Sequence, residues 1–214
     1  MERGTKRIFA GLAALALAGG AVTALGPGAS AASSACGSSC QSLYAQSFGT
    51  ADVSAVLSAA AGKPQDIILS GAADTESEDF EAEFQGTVAQ FCAAGVMTGV
   101  VCTTWPSNPV YEYDYTPGGA ASGLCLGTAV AAVNGTKVSL QICGTSARTT
   151  WITLSIDAIG GYQPLIAGTD TDQNTPVVLT AGAAVGDKLT THQLNLVDGT
   201  FNPAQMWQLV SGVL

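Results

Sequence analysis

Short apolar or alternating segments separated by turns constrain this chain more than any other feature of its sequence. From residue 100 onward these segments are only a few residues long, and Asn134-Gly135 is a turn pair typical of β-hairpins. Short strands at regular spacing predict an antiparallel sandwich or barrel rather than a parallel sheet. With 26 glycines and only 11% charged residues, the composition excludes a coiled coil and a charge-driven disordered chain.

The segment after residue 50 carries a different pattern. Val53, Val56 and Leu57 have helical spacing ahead of Gly62, which predicts a short helix over residues 52–61.

Further along, Phe80, Ala82 and Phe84 alternate with glutamates, which predicts a strand with these three side chains in the core. Thr87 and Gln90 form a capping-box pair that predicts a short helix up to residue 94. The other predicted strands cover residues 66–70, 110–115, 124–126, 137–142, 151–156, 164–167, 177–180 and 205–210.

The first 31 residues are typical of a secretory signal peptide. Arg3, Lys6 and Arg7 precede an apolar run, and Ala29-Ser30-Ala31 is a small-x-small cleavage site. The run is shorter than the ~20 residues that cross a bilayer, so we expect secretion and no membrane insertion. The chain has a formal net charge of −9, and cleavage makes it more acidic. This charge disfavours nucleic acid and anionic lipid as partners.

Acidic residues concentrate between residues 74 and 83, where we expect a solvated loop and strand face rather than a dedicated surface for a basic partner. In the strand at 110–115, tyrosines occupy one face. Glu112 and Asp114 occupy the other, and this acidic, aromatic strand is a candidate surface for a partner. The tyrosines are either core residues or part of an interface, where tyrosine is enriched.

Six cysteines in an exported chain predict three disulfides. Fifteen pairings are possible, and we favour pairing between nearest neighbours. One histidine and no CxxC pair make a zinc site the weaker alternative. The favoured pairs are Cys36 with Cys40, Cys92 with Cys102, and Cys125 with Cys143.

The first of these pairs would close a very small ring near the mature N-terminus. We expect residues 32–50 to be an extended arm that carries this ring, followed by a disulfide-stabilised β domain over residues 51–214. A rigid ring lowers the ordering cost of binding, so it is a candidate insertion element; the alternative is that it only secures the terminus. The candidate partner-binding residues are Cys36, Gly37, Ser38, Ser39, Cys40, Leu43 and Tyr44.

The second half of the chain contains internal repetition. Residues 122–127 (Ser-Gly-Leu-Cys-Leu-Gly), an Asn-Gly turn, a second cysteine and Trp151 resemble one repeat of the ricin-type β-trefoil, and Gln205-Met206-Trp207 is similar to that family's Gln-x-Trp signature. The resemblance implies a mostly β, β-trefoil-like barrel of short antiparallel strands, with one or two short helices and the extended N-terminal arm. Gly127 replaces the family's sugar-binding Asp, and Thr149 replaces its Gln.

The layout of the whole mature chain, a tight two-cysteine loop ahead of a compact β domain, is similar to the adaptor subunits of the umbrella toxin particles of Streptomyces. That resemblance implies an antibacterial toxin complex, in which residues 36–40 insert into the cleft of a trypsin-like lectin subunit. It further implies that the body of the adaptor engages a repeat-containing toxin subunit.

No pattern of catalytic, metal-binding or cofactor-binding residues emerges from the sequence. His192 is the only histidine and lacks a Gly-x-Ser-x-Gly nucleophile motif. Residues 170–174 begin like a calcium loop, but Thr175 and Ala181 stand where that loop needs Gly and Glu. The sequence therefore predicts a secreted, non-enzymatic adaptor without metal or cofactor, and the alternative is a carbohydrate-binding ricin-type module.

Overall fold

A computed structural model describes residues 40–50, 53–72, 75–144, 147–154, 161–169, 175–197 and 199–211. Most of these residues lie in strands, and the two α-helices among them are short: α1 (Val88–Ala93) and α2 (Val100–Thr104). The strands are β1 (Cys40–Thr50), β2 (Val53–Ala60), β3 (Lys63–Gly71), β4 (Phe80–Thr87), β5 (Pro109–Tyr115), β6 (Leu124–Thr128), β7 (Thr136–Ile142), β8 (Thr150–Thr153), β9 (Leu165–Ala167), β10 (Val177–Thr180), β11 (Thr190–Gln193), β12 (Leu196–Val197), β13 (Thr200–Phe201) and β14 (Trp207–Ser211).

The main sheet closes on itself. Strand β1 pairs with β4, β4 with β5, β5 with β8, and β8 with β9. The circuit is completed by a bridge between Gln163 and Trp207 and by antiparallel pairing of β14 with β1. The pairing of β1 with β14 therefore closes the described strands of the main sheet into a barrel.

The strand register repeats three times around this barrel. Gln41 in β1 pairs with Phe80 in β4, and Tyr111 in β5 pairs with Trp151 in β8. Gln163, just before β9, pairs with Trp207 in β14. On its other side, each aromatic residue pairs with a neighbouring strand: Phe80 with Tyr115, Trp151 with Ala167 and Trp207 with Ala45. These three partners lie four residues after Tyr111, Gln163 and Gln41, so the register is the same in all three units.

Three hairpins cover one end of the barrel: β2–β3, β6–β7 and β10–β11. Each contacts the other two, through the pairs Asp66–Ser139, Lys137–Thr190 and Ile68–Lys188. We call this the closed end.

Asp66 joins all three hairpins at the closed end, because Lys137 and Lys188 both donate to its carboxylate. These two hydrogen bonds hold the pKa of Asp66 below its usual value.

The core lies inside the barrel and under the hairpins. The indole Nε1 of Trp151 donates to the carbonyl of Leu126 at 2.9 Å, and that of Trp207 donates to the carbonyl of Leu179 at 3.0 Å. Phe80 takes the equivalent place in the first unit. All five residues are fully or almost fully buried, so the two later units share an indole anchor.

Several sequence-based predictions are wrong. Residues from Cys40 onward form β1, a wall strand of the barrel, and not an extended arm. Leu43 is fully buried in the core and is unavailable to a partner. Residues 53–60 form β2 rather than a helix, because β1 and β3 supply pairing partners on both sides. Phe84 is 62% exposed instead of buried, and a helix, α2, follows residue 99.

Other predictions are confirmed. Gln90 accepts from the backbone N–H of Thr87 at 2.8 Å, as a capping box requires, at the start of α1. Asn134-Gly135 turns between β6 and β7, with Gly135 at φ 84°. The disulfides Cys92–Cys102 and Cys125–Cys143 are both formed. The predicted signal peptide and residues 36–39 of the Cys36–Cys40 ring lie outside the described residues.

Among the described residues, no helix has both the length and the apolar character needed to cross a membrane.

Candidate functional site

An acidic ribbon runs along the outer face of β4 and β5. Glu81 lies opposite Asp114, and Glu83 lies opposite Glu112, so each cross-strand pair brings together two carboxylates. Such like-charge pairs destabilise a sheet. We refer to these four residues as the acidic ribbon.

Members of the ribbon differ in exposure. Glu83 is exposed and Glu81 half-buried, whereas Glu112 is only 5% exposed. The reason is that the loop before β8 folds over Glu112, whose Oε1 accepts from the Gly144 N–H at 3.0 Å and from the Thr149 hydroxyl.

The pKa of Asp114 reflects the negative charge of the ribbon. Burial raises the pKa of Asp114, and the charges of Glu83, Glu81 and Glu112 add to that effect, bringing it to about 6. A cationic group docked on the ribbon would reverse this shift, because opposite charge favours the ionised carboxylate.

The solvated face expected for the acidic run at residues 74–83 is wrong for two of its members. Glu78 and Asp79 are buried. The Thr75 hydroxyl donates to Glu78, and Asp79 accepts from the Gly118 N–H at 3.3 Å. These carboxylates therefore shape the turn before β4.

The N-terminal segment joins the barrel beside the acidic ribbon. Cys40, the first residue of β1, pairs with Glu81, and Gln41 pairs with Phe80. Of the predicted partner-binding residues, Tyr44 is half-buried, Leu43 is in the core, and residues 36–39 lie outside the described residues.

The barrel opens at the end opposite the hairpins, which we call the mouth. A cavity of about 300 Å³ lies there. It was not predicted, because its residues come from six separate segments and no local pattern connects them. They are Gln41, Ala82, Pro109, Tyr111, Tyr113, Thr153, Gln163 and Leu209.

The positions that correspond to the sugar-binding Asp of the ricin-type repeat hold no carboxylate. The strand register makes Gly127 equivalent to Ser58 and Thr180. At Gly127 even a Cβ atom would lie 2.6 Å from the carbonyl oxygen of Arg148, so the space for a larger side chain is filled.

The Gln-x-Trp signature has a structural role in this chain. The Gln205 side chain accepts from the Asn195 N–H at 3.0 Å and donates to the carbonyl of Gln193 at 2.8 Å. Because Gln205 is also buried, it links the segment after β11 to the turn before β14.

Two described residues with catalytic or metal-binding potential, His192 and Asp114, contact other groups of the protein. His192 pairs with Val178 in the sheet, and its Nδ1 lies 2.9 Å from Oδ1 of Asn134. Asp114 lies near the sulfurs of Cys125 and Cys143, but the disulfide between those cysteines removes the thiolates that a metal would need.

Comparison with known proteins is informative at the level of the fold. No family model and no curated protein sequence matches the chain. Among solved structures, the chain is similar to a designed 3-fold symmetric protein, ThreeFoil, with a TM-score of 0.50 and 15% identity over 80% of this chain and 98% of that one. It is also similar to the ricin B-like lectin of Macrolepiota procera, solved with lactose, with a TM-score of 0.51 and 12% identity over 81% of this chain and 95% of that one. These likenesses match the ricin-type part of the sequence resemblance and concern the fold alone.

The structure is therefore a mostly β, closed barrel-like protein with ricin B-like structural neighbours. The two disulfides among the described residues are compatible with an extracellular protein.

Proposed function

We propose that this chain is a secreted, non-enzymatic adaptor with a β-trefoil fold, and that it binds a basic protein surface. The observation that carries the proposal is the pairing of Cys40 with Glu81. Cys40, the last residue of the predicted ring, thereby joins the barrel next to the acidic ribbon.

The ribbon supports a basic partner. Three of its carboxylates, Glu81, Glu83 and Asp114, are at least partly exposed, and their mutual repulsion is relieved when a Lys- or Arg-rich surface docks. By the resemblance to umbrella toxin particles, the ring would insert into a trypsin-like lectin subunit and the body would engage a repeat-containing toxin subunit.

Carbohydrate binding is the alternative function, and it rests on the ricin B-like neighbour. The residues at the equivalent positions, Ser58, Gly127 and Thr180, do not favour it, because they offer no carboxylate to accept from sugar hydroxyls. We therefore rank it second.

Co-purification from the culture medium of the source organism tests the adaptor role. We expect the tagged mature chain to retain one defined secreted protein. A variant that lacks residues 32–39 and the double variant Glu81→Lys with Glu83→Lys should each fail to retain it. Charge reversal relieves repulsion within the ribbon, so this double variant should fold at least as well as the parent.

Glu76→Lys is the matched control, since Glu76 is an exposed glutamate on the turn before β4 and lies off the ribbon. Retention of the partner by both test variants, or equal loss with the control, would contradict the proposal. Competable sugar binding on a glycan array would favour the alternative.

A further inference from the structure

A second cavity lies on the outer wall of the barrel, at the edge of the acidic ribbon, and we call it the side cavity. Its volume is about 240 Å³. It is bordered by β4, by α1 and the turn that follows it, by β5, and by the loop before β8. The residues of its wall include Gln85, Phe91, Val96, Glu112, Gly144 and Ala147.

One side of the side cavity is apolar and is held in place by the two helices. Helices α1 and α2 pack on a second buried cluster, separate from the barrel core, and Phe91 packs against that cluster. The disulfide Cys92–Cys102 joins the two helices. Val96, in the turn after α1, is 45% exposed. Phe91 and Val96 therefore offer a preorganised apolar wall, which lowers the cost of binding an aliphatic chain.

The other side of the side cavity carries a carboxylate. Glu112 belongs to the wall although it is almost completely buried. Its Oε1 accepts from the Gly144 N–H and from the Thr149 hydroxyl, and Gly144 is itself part of the wall. These two hydrogen bonds fix the carboxylate at the wall of the cavity.

The second oxygen of this carboxylate, Oε2, is available to a ligand. Both hydrogen bonds that Glu112 accepts in the described part of the chain end on Oε1. Some polar side-chain atoms of the described residues have neither a partner nor solvent contact, and they belong to Gln41, Ser70, Tyr113 and Thr128. Glu112 Oε2 is not one of them, so it keeps accessible surface, and the cavity that Glu112 lines gives a ligand access to it.

The two sides together specify a ligand with a cation at the end of an aliphatic chain. A nearly buried carboxylate is stabilised by a paired positive charge, and Glu83, which lies opposite Glu112 in the strand register, adds negative charge. None of the described residues that line the side cavity is Lys, Arg or His. The cation must therefore come from another molecule.

Lysine fits this site better than arginine. A lysine side chain has a flexible four-carbon stem and a compact ammonium group, whereas the arginine fork matches both oxygens of a carboxylate at once. Since Oε1 of Glu112 already accepts two hydrogen bonds, only one oxygen remains for the ligand. The volume of about 240 Å³ is below the lower limit of ordinary small-molecule sites, about 300 Å³, and suits a single side chain.

We propose that the side cavity is a recognition pocket for a lysine side chain, whose stem packs on Phe91 and Val96 and whose ammonium group donates to Glu112 Oε2. The inference rests on the proposed adaptor function for the source of that lysine, which is the basic protein surface that docks on the acidic ribbon. The ribbon attracts basic surfaces in general, and the pocket adds specificity for a surface that presents a lysine at this position.

Blocked amino acids test the pocket on the mature chain without the partner. The probes are the Nα-acetyl N-methylamides of lysine, arginine and norleucine, and norleucine has the stem of lysine without the ammonium group. The ¹³C-labelled methyl group of Ala147, a residue of the wall that every variant keeps, reports binding. We expect the lysine probe to shift this resonance saturably at millimolar concentration, because so small a ligand binds weakly. The arginine and norleucine probes should bind at least about fivefold and tenfold more weakly.

Glu112→Gln removes the charge of the pocket and keeps its shape, because the amide oxygen can still accept from Gly144 and Thr149. We expect this variant to bind the lysine probe at least about tenfold more weakly, as for other losses of a charged hydrogen-bonding partner. Glu81→Gln is the matched comparison, since it removes a charge of the ribbon from a residue outside the side cavity. It should weaken binding by no more than about threefold, because solvent screens its charge.

Val96→Lys tests the pocket without changing Glu112. Val96 is an exposed valine, so the fold should tolerate the substitution, and the new side chain should occupy the pocket and prevent binding of the lysine probe. Val210→Lys is the matched control, because it adds the same charge at an exposed valine of β14 that does not line the side cavity. It should bind the lysine probe like the parent.

Three results would overturn the pocket. In the first, the lysine probe does not shift the Ala147 resonance. In the second, the arginine or norleucine probe binds as tightly as the lysine probe. In the third, Glu112→Gln binds the lysine probe as tightly as Glu81→Gln does.

Co-purification from the culture medium separates this proposal from the adaptor function. We expect Glu112→Gln to lose most of the partner that the parent retains. Equal retention by Glu112→Gln and the parent would overturn the pocket and leave the adaptor function intact. If the parent retains no partner while the lysine probe binds as expected, the adaptor function is wrong and the lysine pocket stands.

Discussion

The two ends of the barrel are built from equivalent strands and differ in how their polar groups are satisfied. At the closed end the indole N–H groups of Trp151 and Trp207 reach backbone carbonyls, and Asp66 joins the three hairpins. At the mouth, Gln41 and Tyr113 bury polar atoms that have no partner. We conclude that the closed end contributes more to the stability of the fold than the mouth does.

Truncation of the Trp207 side chain, whose indole anchors the closed end, should cause the largest loss of stability. Trp207 is fully buried, so Trp207→Ala should lower the free energy of unfolding by about 3 to 5 kcal/mol, as for other large core residues. Urea unfolding followed by circular dichroism measures the change.

Leu209→Ala is the comparison at the mouth, two residues along the same strand. Leu209 is half-buried and borders the cavity, so its truncation should cost less than half as much as that of Trp207. An equal loss at the two positions would contradict the division of roles between the ends.

Removal of the Cys125–Cys143 disulfide should have the next largest effect. It staples the β6–β7 hairpin and spans 18 residues, so the double change Cys125→Ala with Cys143→Ala should cost about 3 kcal/mol by releasing the unfolded chain. Differential scanning calorimetry under non-reducing conditions measures it. A melting temperature equal to that of the parent would show that the hairpin needs no covalent support.

Loss of the Asp66 carboxylate should have the smallest effect, and it should depend on pH. The pKa of Asp66 is lowered from 3.8 in the folded chain, so its contribution to stability is present above about pH 3.8 and is lost as the pH falls through the lower folded-state value. Asp66→Asn should therefore lower the melting temperature at pH 7 and leave it nearly unchanged in strong acid.

The salt dependence of the Asp66→Asn melting temperature is the control for this prediction. Added salt should shrink the difference between Asp66→Asn and the parent at pH 7, because Lys137 and Lys188 are largely exposed. A difference that is the same at low and high salt would argue against an electrostatic cause.

Local signals explain the parts of the fold that the sequence predicts well. The capping box at Thr87, the Asn134-Gly135 turn and the neighbouring cysteine pairs each depend on residues that are close in the chain. The spacing of Val53, Val56 and Leu57 suits a helix, and only the pairing with β1 and β3 overrides that preference and makes the segment strand β2.

The candidate sites were predicted less well than the fold. The carboxylates of the ribbon were identified, but the burial of Glu112 depends on a loop more than 30 residues away. Leu43 was assigned to a partner surface because an Ala- and Ser-rich segment gives no alternation from which its burial could be inferred.

The sequence by itself determined a disulfide-bonded protein of short strands and an acidic surface, because composition, turn residues and cysteine spacing act over short distances. Only the tertiary structure decided that β1 closes the barrel, that Cys40 lies beside Glu81, and that Gln41 and Tyr113 line one cavity. Those relations arise from strand pairing between distant segments, where register rather than local preference sets which side chains meet.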